Sequence, residues 1–179
     1  MVQLVPDLGR TLVDEGVISL TQLDQGLQAA QRNDSALEEE LVRLGFASEN
    51  AILQAIANKL GLEFVDLPAL LSGQADEPID IEVATLINEV LAYRYRVLSI
   101  ACNHHQIRLA MADPLNILAI DDIRLTTGYD VQPVLASSKA ITAALNKYYG
   151  RPGVDEFPEE MTLEQLQEMM DEATKKNRS

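Results

Sequence analysis

The sequence predicts an α+β protein with an N-terminal four-helix lobe of two repeated helical hairpins, a linker, and a small α/β lobe built on a roughly three-stranded sheet. An acidic amphipathic helix completes the expectation at the C-terminus. Three observations lead there. Residues 7–30 recur at 36–59 with a constant offset of 29, the mark of an internal duplication. Between 97 and 135, short alternating or β-rich runs are separated by turn formers and one helical pattern. Beyond 150 the composition turns acidic while a helical apolar stripe persists.

The repeat aligns Leu8, Leu12, Val13, Gly16, Ser19, Leu23, Gln25 and Leu27 with Leu37, Leu41, Val42, Gly45, Ser48, Ile52, Gln54 and Ile56. Each copy reads as helix, Gly stop, Ser start, helix. Asp7 is placed to cap the first helix, and Gly16 to end it in a left-handed conformation. Ser19 and Gln22 form a capping box for the second, with Ile18 and Leu23 at the staple positions. In the second copy Ser35 and Glu38 make another candidate capping box, Gly45 stops that helix, and Ser48 opens the run containing Ile52, Leu53, Ile56 and Leu60. The helical lobe is therefore expected over 1–63, and a linker over 64–78, where Pro68, Gly73 and Pro78 interrupt any periodicity.

The second lobe, 79–150, starts with a helical pattern from Ile81 to Leu91, followed by a strand from Val97 to Ala101. Asn103 to Gln106 reads as a turn and Ile107 to Met111 as the partner strand. Asp113 and Pro114 are expected to start a helix that stops at Gly128. A third strand, Tyr129 to Leu135, and a helix, Ser137 to Tyr149, complete the lobe. In the tail, 151–179, residues 151–172 hold eight acidic side chains and one basic one. Leu163, Leu166 and Met170 nevertheless share a stripe over about 162–174, which makes them candidate partner-binding residues on a helix docking within this chain, on a second copy or on another protein.

Composition excludes several function classes. Fourteen Lys and Arg against twenty-eight Asp and Glu give a net charge of -14, which repels phosphate backbones and anionic lipid, so nucleic acid and membrane surfaces are not expected partners. No run is long and apolar enough for direct membrane insertion, and MVQLVPDLGR lacks the features of an export signal, so a cytoplasmic setting is expected. The one cysteine, Cys102, forms no internal disulfide and is expected to be a small buried thiol at a strand end. There is no Gly-x-x-x-x-Gly-Lys-Ser/Thr phosphate loop, and no acid, base and nucleophile set, so no enzyme activity and no catalytic residues are expected. His104 and His105 are adjacent, which suits a solvated turn better than a metal site. Asp121 and Asp122 are expected to be surface charges. Gly9 stands out in the first turn of a helix, where it costs stability relative to Ala and suggests close approach of another group.

Several stretches together resemble a known family: Leu8-Gly9-x-x-Leu12 with Gly16, Leu23 and Leu27; Leu60 to Leu67; Tyr95-Arg96-Val97-Leu98; Met111-Ala112-Asp113-Pro114; and Tyr148-Tyr149-Gly150. The resemblance is to the N-terminal, MshEN-type domain of type II secretion and type IV pilus assembly ATPases, over roughly 7–150. It implies a bacterial cytoplasmic regulatory or adaptor module whose partner is a protein of a pilus, secretion or motility apparatus. Some members of the family bind cyclic di-GMP through two tandem motifs running from Arg-Leu-Gly-x-x-Leu to a terminal Gln. On that alternative the nucleotide-binding candidates are Leu8, Gly9, Leu12, Gly16, Leu23 and Leu27 in the first motif and Leu37, Leu41, Gly45, Ile52 and Ile56 in the second. The polar positions depart from the pattern: Asp7 and Ala36 stand for Arg, Glu38 for Gly, and Ala30 and Lys59 for Gln. A ligand with two phosphate charges loses charge-assisted bonds worth about 1.5 to 3 kcal/mol each at such sites, so the expectation is a protein-binding module without cofactor.

Overall fold

The computed structural model describes residues 7–72 and 78–150. Four helices make the first lobe: α1 (Leu8–Asp14), α2 (Leu20–Asn33), α3 (Leu37–Arg43) and α4 (Glu49–Leu60). The duplication is visible in three dimensions. Gly16 and Gly45 both have φ of 72°, so each releases its helix through the left-handed conformation that glycine adopts without strain. The Ser19 and Ser48 hydroxyls then accept from the backbone N–H three residues on, at 3.2 and 3.1 Å. Ser19 and Gln22 complete the expected capping box.

The second expected box does not form. Ala36 is the N-cap of α3 and offers no side-chain bond. Ser35 instead donates to Glu40 Oε1 at 2.7 Å, because Glu40 is buried and needs donors. Asn33 Nδ2 supplies another at 3.1 Å, and the Arg43 guanidinium supplies the rest. These bonds, the Ser35 hydroxyl foremost, hold the Glu40 carboxyl below the usual range despite its burial.

Within the stretch expected to be a linker, residues 64–72 are built into the fold. Phe64 bridges Leu135 in parallel register. Val65 N–H donates to the Leu135 carbonyl at 2.9 Å, and Leu135 N–H to the Glu63 carbonyl at 2.8 Å. A short helix, α5 (Leu67–Leu71), follows with Asp66 as its cap. Pro68 sits in the first turn, where its missing N–H costs nothing, so it opens a helix here rather than breaking one.

The helix expected from Ile81 to Leu91 is two: α6 (Ile81–Ala84) and α7 (Glu89–Tyr95). Asn88 divides them, its side chain accepting from Val90 N–H at 2.9 Å, while Ile87 points into the core. Next come β1 (Val97–Cys102), β2 (Gln106–Met111), α8 (Ile117–Thr127), β3 (Asp130–Leu135) and α9 (Ser138–Tyr149). The sheet order is β1-β2-β3. Strands β1 and β2 are antiparallel from Val97 opposite Met111 to Cys102 opposite Ile107, with an irregularity between Ser99 and Ala101. Strands β2 and β3 are parallel, as a helical crossover requires. Helix α8 starts one turn later than expected. Asn116 caps it through Ala119 N–H, and Asp113 holds the preceding turn through Leu115 N–H.

Two clusters of buried side chains result. One surrounds the sheet and includes Leu98, Leu109, Ile123, Val134 and Ile141. The other fills the helical lobe, and Leu135, from the end of β3, belongs to it. Three tyrosines tie the α6–α7 segment to α9. Tyr93 donates to Asn146 Oδ1 at 3.0 Å, Tyr148 to the Ile79 carbonyl at 3.2 Å, and Tyr149 lies 2.7 Å from the Ile87 carbonyl. Burial, with the nearby Glu89 charge, pushes the Tyr149 phenol up to about 12.

Candidate functional site

The duplicated motif is mostly interior. Leu12, Leu41, Ile52 and Ile56 are buried in the helical-lobe core, and Leu8, Leu23 and Leu37 pack on it with partial exposure. Leu27 is 44% exposed and stands apart from that cluster, while Gly16 and Gly45 are exposed helix ends. The structure thus brings Gly9 together with Leu23 and Leu37. A Cβ on Gly9 would lie 2.6 Å from Leu23 Cδ1 and 3.4 Å from Leu37 Cδ2, which accounts for glycine in the first turn of α1. Gly26, which the sequence reading passed over, does the same on α2: a Cβ there would meet Leu41 Cδ2 at 2.8 Å and Leu37 Cδ1 at 3.1 Å. Its signal was available, because a mid-helix glycine between Leu23 and Leu27 costs about 1 kcal/mol relative to Ala.

The two positions that open the motifs are helix N-caps. Asp7 accepts from Arg10 N–H at 3.0 Å, and Ala36 begins α3 with nothing to offer. The first copy thus opens on a carboxylate engaged in capping and the second on a methyl. Glu38 sits half-buried in the first turn of α3.

Between the lobes lies an open cleft of about 300 Å³ that no local pattern signals, since its walls come from 49–50, 64–68, 137 and 139–140. Its polar groups are already engaged. Ser137 Oγ donates to Glu49 Oε1 at 2.8 Å, and Asn50 Nδ2 to Asp66 Oδ2 at 2.8 Å. Among the described residues Lys139 is its one basic lining residue, against Glu49 and Asp66.

His104 and His105 lie exposed in the β1–β2 turn, whose geometry is set by Asn103 Oδ1 accepting from His105 and Gln106 N–H at 3.0 and 2.9 Å. Cys102 is exposed rather than buried, because β1 ends as the hairpin leaves the core. Asp122 is more than a surface charge: it accepts from the Tyr95 hydroxyl, and burial together with that bond raises the Tyr95 phenol. Among the described residues no cluster of three or more His, Cys, Asp or Glu is placed to hold a metal ion, and no helix is long and apolar enough to cross a membrane. Leu163, Leu166 and Met170 lie outside the described residues.

Sequence comparison matches residues 60–155 to the MshEN domain. The type IV pilus assembly ATPase PilB of Myxococcus xanthus is 28% identical over 146 residues, 82% of this chain and 25% of that protein. PilB of Thermus thermophilus is 33% identical over 143 residues, 77% of this chain and 15% of that protein. The chain thus spans a quarter or less of the length of these two relatives. Among solved structures, that of MshE with cdg superposes with a TM-score of 0.59 at 33% identity, covering 79% of this chain and 98% of the other. The N-terminal domain of XpsE shares the fold, with a TM-score of 0.51 at 23% identity over 82% of this chain and 96% of the other.

Proposed function

From the premise that this chain belongs to the MshEN domain family, we propose that it is a non-catalytic regulatory module that binds a protein of a type IV pilus, type II secretion or motility apparatus on the cytoplasmic side. The observation that carries the reading is the pair of motif openings. Where a phosphate-bearing ligand needs arginine, Asp7 uses its carboxylate to cap α1 and Ala36 has no polar group. The motif leucines that remain, Leu27 excepted, are accounted for by packing in the lobe core. A hydrophobic frame kept for folding, with its phosphate-binding groups replaced, suits a domain that has turned to protein contacts.

A second reading has one observation in its favour: the MshE structure, at 33% identity, was solved with cdg, which we read as cyclic di-GMP. Titration calorimetry with cyclic di-GMP at moderate salt separates the two. The expected result is weak or absent binding, because Asp7 and Glu38 add negative charge where the ligand carries its own. A submicromolar dissociation constant would overturn the protein-binding reading in favour of the nucleotide.

A further inference from the structure

Helix α8 presents a second face that the other described residues leave uncovered. Ala119 and Ile123 point into the sheet core and are buried. On the other side Ile117, Leu118 and Leu125 are 70%, 73% and 83% exposed, and Leu115, in the turn before the helix, is 52% exposed. Leu118 and Leu125 are two turns apart with Asp121 between them, so they form one stripe along the helix. Four such side chains present on the order of 400 Å² of apolar surface, a size at which a patch on a monomer tends to be functional. Polar residues here would leave the core unchanged and raise solubility, so folding does not account for them.

The charge around the stripe selects what covers it. Arg124 is the one basic residue of α8, and it is already held by Asp121 at 3.8 Å and Asp130 at 3.6 Å. Both aspartates remain more than half-exposed, so each can take another cation. The rim is thus negative, on a chain of net charge -14. A second copy would set two negative rims against each other, and the tail, with eight acidic residues against four basic over 151–179, meets net repulsion too. An anionic lipid surface is repelled likewise.

We infer that the outer face of α8 is a docking surface for a basic amphipathic helix of a protein partner. Aliphatic side chains of that helix cover Leu118 and Leu125, and its Lys or Arg residues reach Asp121 and Asp130. This rests on the reading of the chain as a protein-interaction module and names the surface and the chemistry of what it binds. A helix is the matching shape because its own apolar residues repeat at the seven-residue spacing of Leu118 and Leu125.

The test uses the full chain and a synthetic peptide of Leu and Lys at helical spacing, with a second peptide carrying Glu in place of Lys. The Lys peptide is expected to shift backbone amide resonances from Leu115 to Leu125, and to bind about tenfold more weakly when Leu118→Asn and Leu125→Asn are combined. Raising salt weakens that binding, and Leu20→Asn, which alters an exposed leucine on α2, leaves it unchanged. The α8 substitutions are at exposed positions, and circular dichroism checks that the variant folds. Equal binding of the Glu peptide, shifts centred on another surface, or undiminished affinity of the α8 variant would each overturn the inference. So would a fall in the solution mass on substitution, which would assign the face to a second copy. Those outcomes leave the protein-binding reading standing, since that reading fails separately, by submicromolar binding of cyclic di-GMP.

Discussion

Replacing Gly26 by alanine sets two known effects against each other. In the middle of α2 the substitution gains about 1 kcal/mol of helix propensity. Against this, the new methyl would lie 2.8 Å from Leu41 Cδ2, 3.1 Å from Leu37 Cδ1 and 3.4 Å from Leu41 Cγ. Leu41 is fully buried and cannot swing into solvent, so the relief must come from an off-rotamer side chain or a shift of α2 away from α3. Overpacking of this kind costs about 1 to 3 kcal/mol. The balance is destabilising by up to about 2 kcal/mol, and Gly26→Val, with two further methyls and a stiff χ1, is worse. Urea denaturation of the two variants beside the parent measures this, with Ala143→Gly on the exposed side of α9 as the calibration of propensity alone. The expected order of stability at position 26 is Gly, then Ala, then Val. An alanine variant more stable than the parent by the full propensity gain would refute the packing argument, because it would mean that α2 and α3 do not meet at Gly26.

Two other consequences can be measured. The Ser99 hydroxyl is fully buried in β1 with no hydrogen-bond partner, so Ser99→Ala is expected to be neutral or to stabilise by about 1 kcal/mol in thermal melts, and a loss of more than that would point to an unrecognised bond. The Tyr149 phenol is raised to about 12 from an ordinary 10.0, so its stabilising contribution is fully present below pH 10 and is lost as pH rises towards 12, where the unfolded chain releases the proton first. Tyr149→Phe should cost about 1 kcal/mol at neutral pH and flatten the alkaline fall in stability, though only in part because Tyr95 and Tyr148 are raised too; an unchanged alkaline slope would contradict the assignment.

What the sequence disclosed follows from the range of the interactions involved. The duplicated hairpins, Gly16, Gly45, Ser19 and Ser48 were legible because caps and stops act within four residues of the chain. The strands around Leu98, Leu109 and Val134 were legible because alternation is local too. Misreadings arose where a distant partner decided. Ser35 was pulled from capping α3 to serve buried Glu40, and the 63–65 backbone found Leu135 more than sixty residues away. The break at Asn88 was open to a different local reading, since an asparagine inside a helical pattern is also a cap for the helix that follows. The expectation for Asp122 failed because Tyr95 arrives from another helix. Of the candidate site, the apolar frame was legible and the inter-lobe cleft was not, since Glu49, Asp66 and Lys139 meet only after folding.

That cleft bears on how the module works, because the lobes are joined by more than the chain between them. Leu135 ends β3 yet is buried with Leu12, Leu41 and Ile56 in the helical core. Its backbone bonds both Glu63 and Val65, and two residues later Ser137 holds Glu49 at the start of α4. Arg108 on β2 adds an ion pair to Glu63, although both partners are partly exposed and the pair contributes little. Burying Leu135 is worth roughly 1.5 to 3 kcal/mol, all of it dependent on both lobes being in place. Separating them would also break the two backbone bonds and expose the apolar groups around Phe64. The helical motif and the sheet lobe with its α8 face therefore move as one body unless something offsets those terms together.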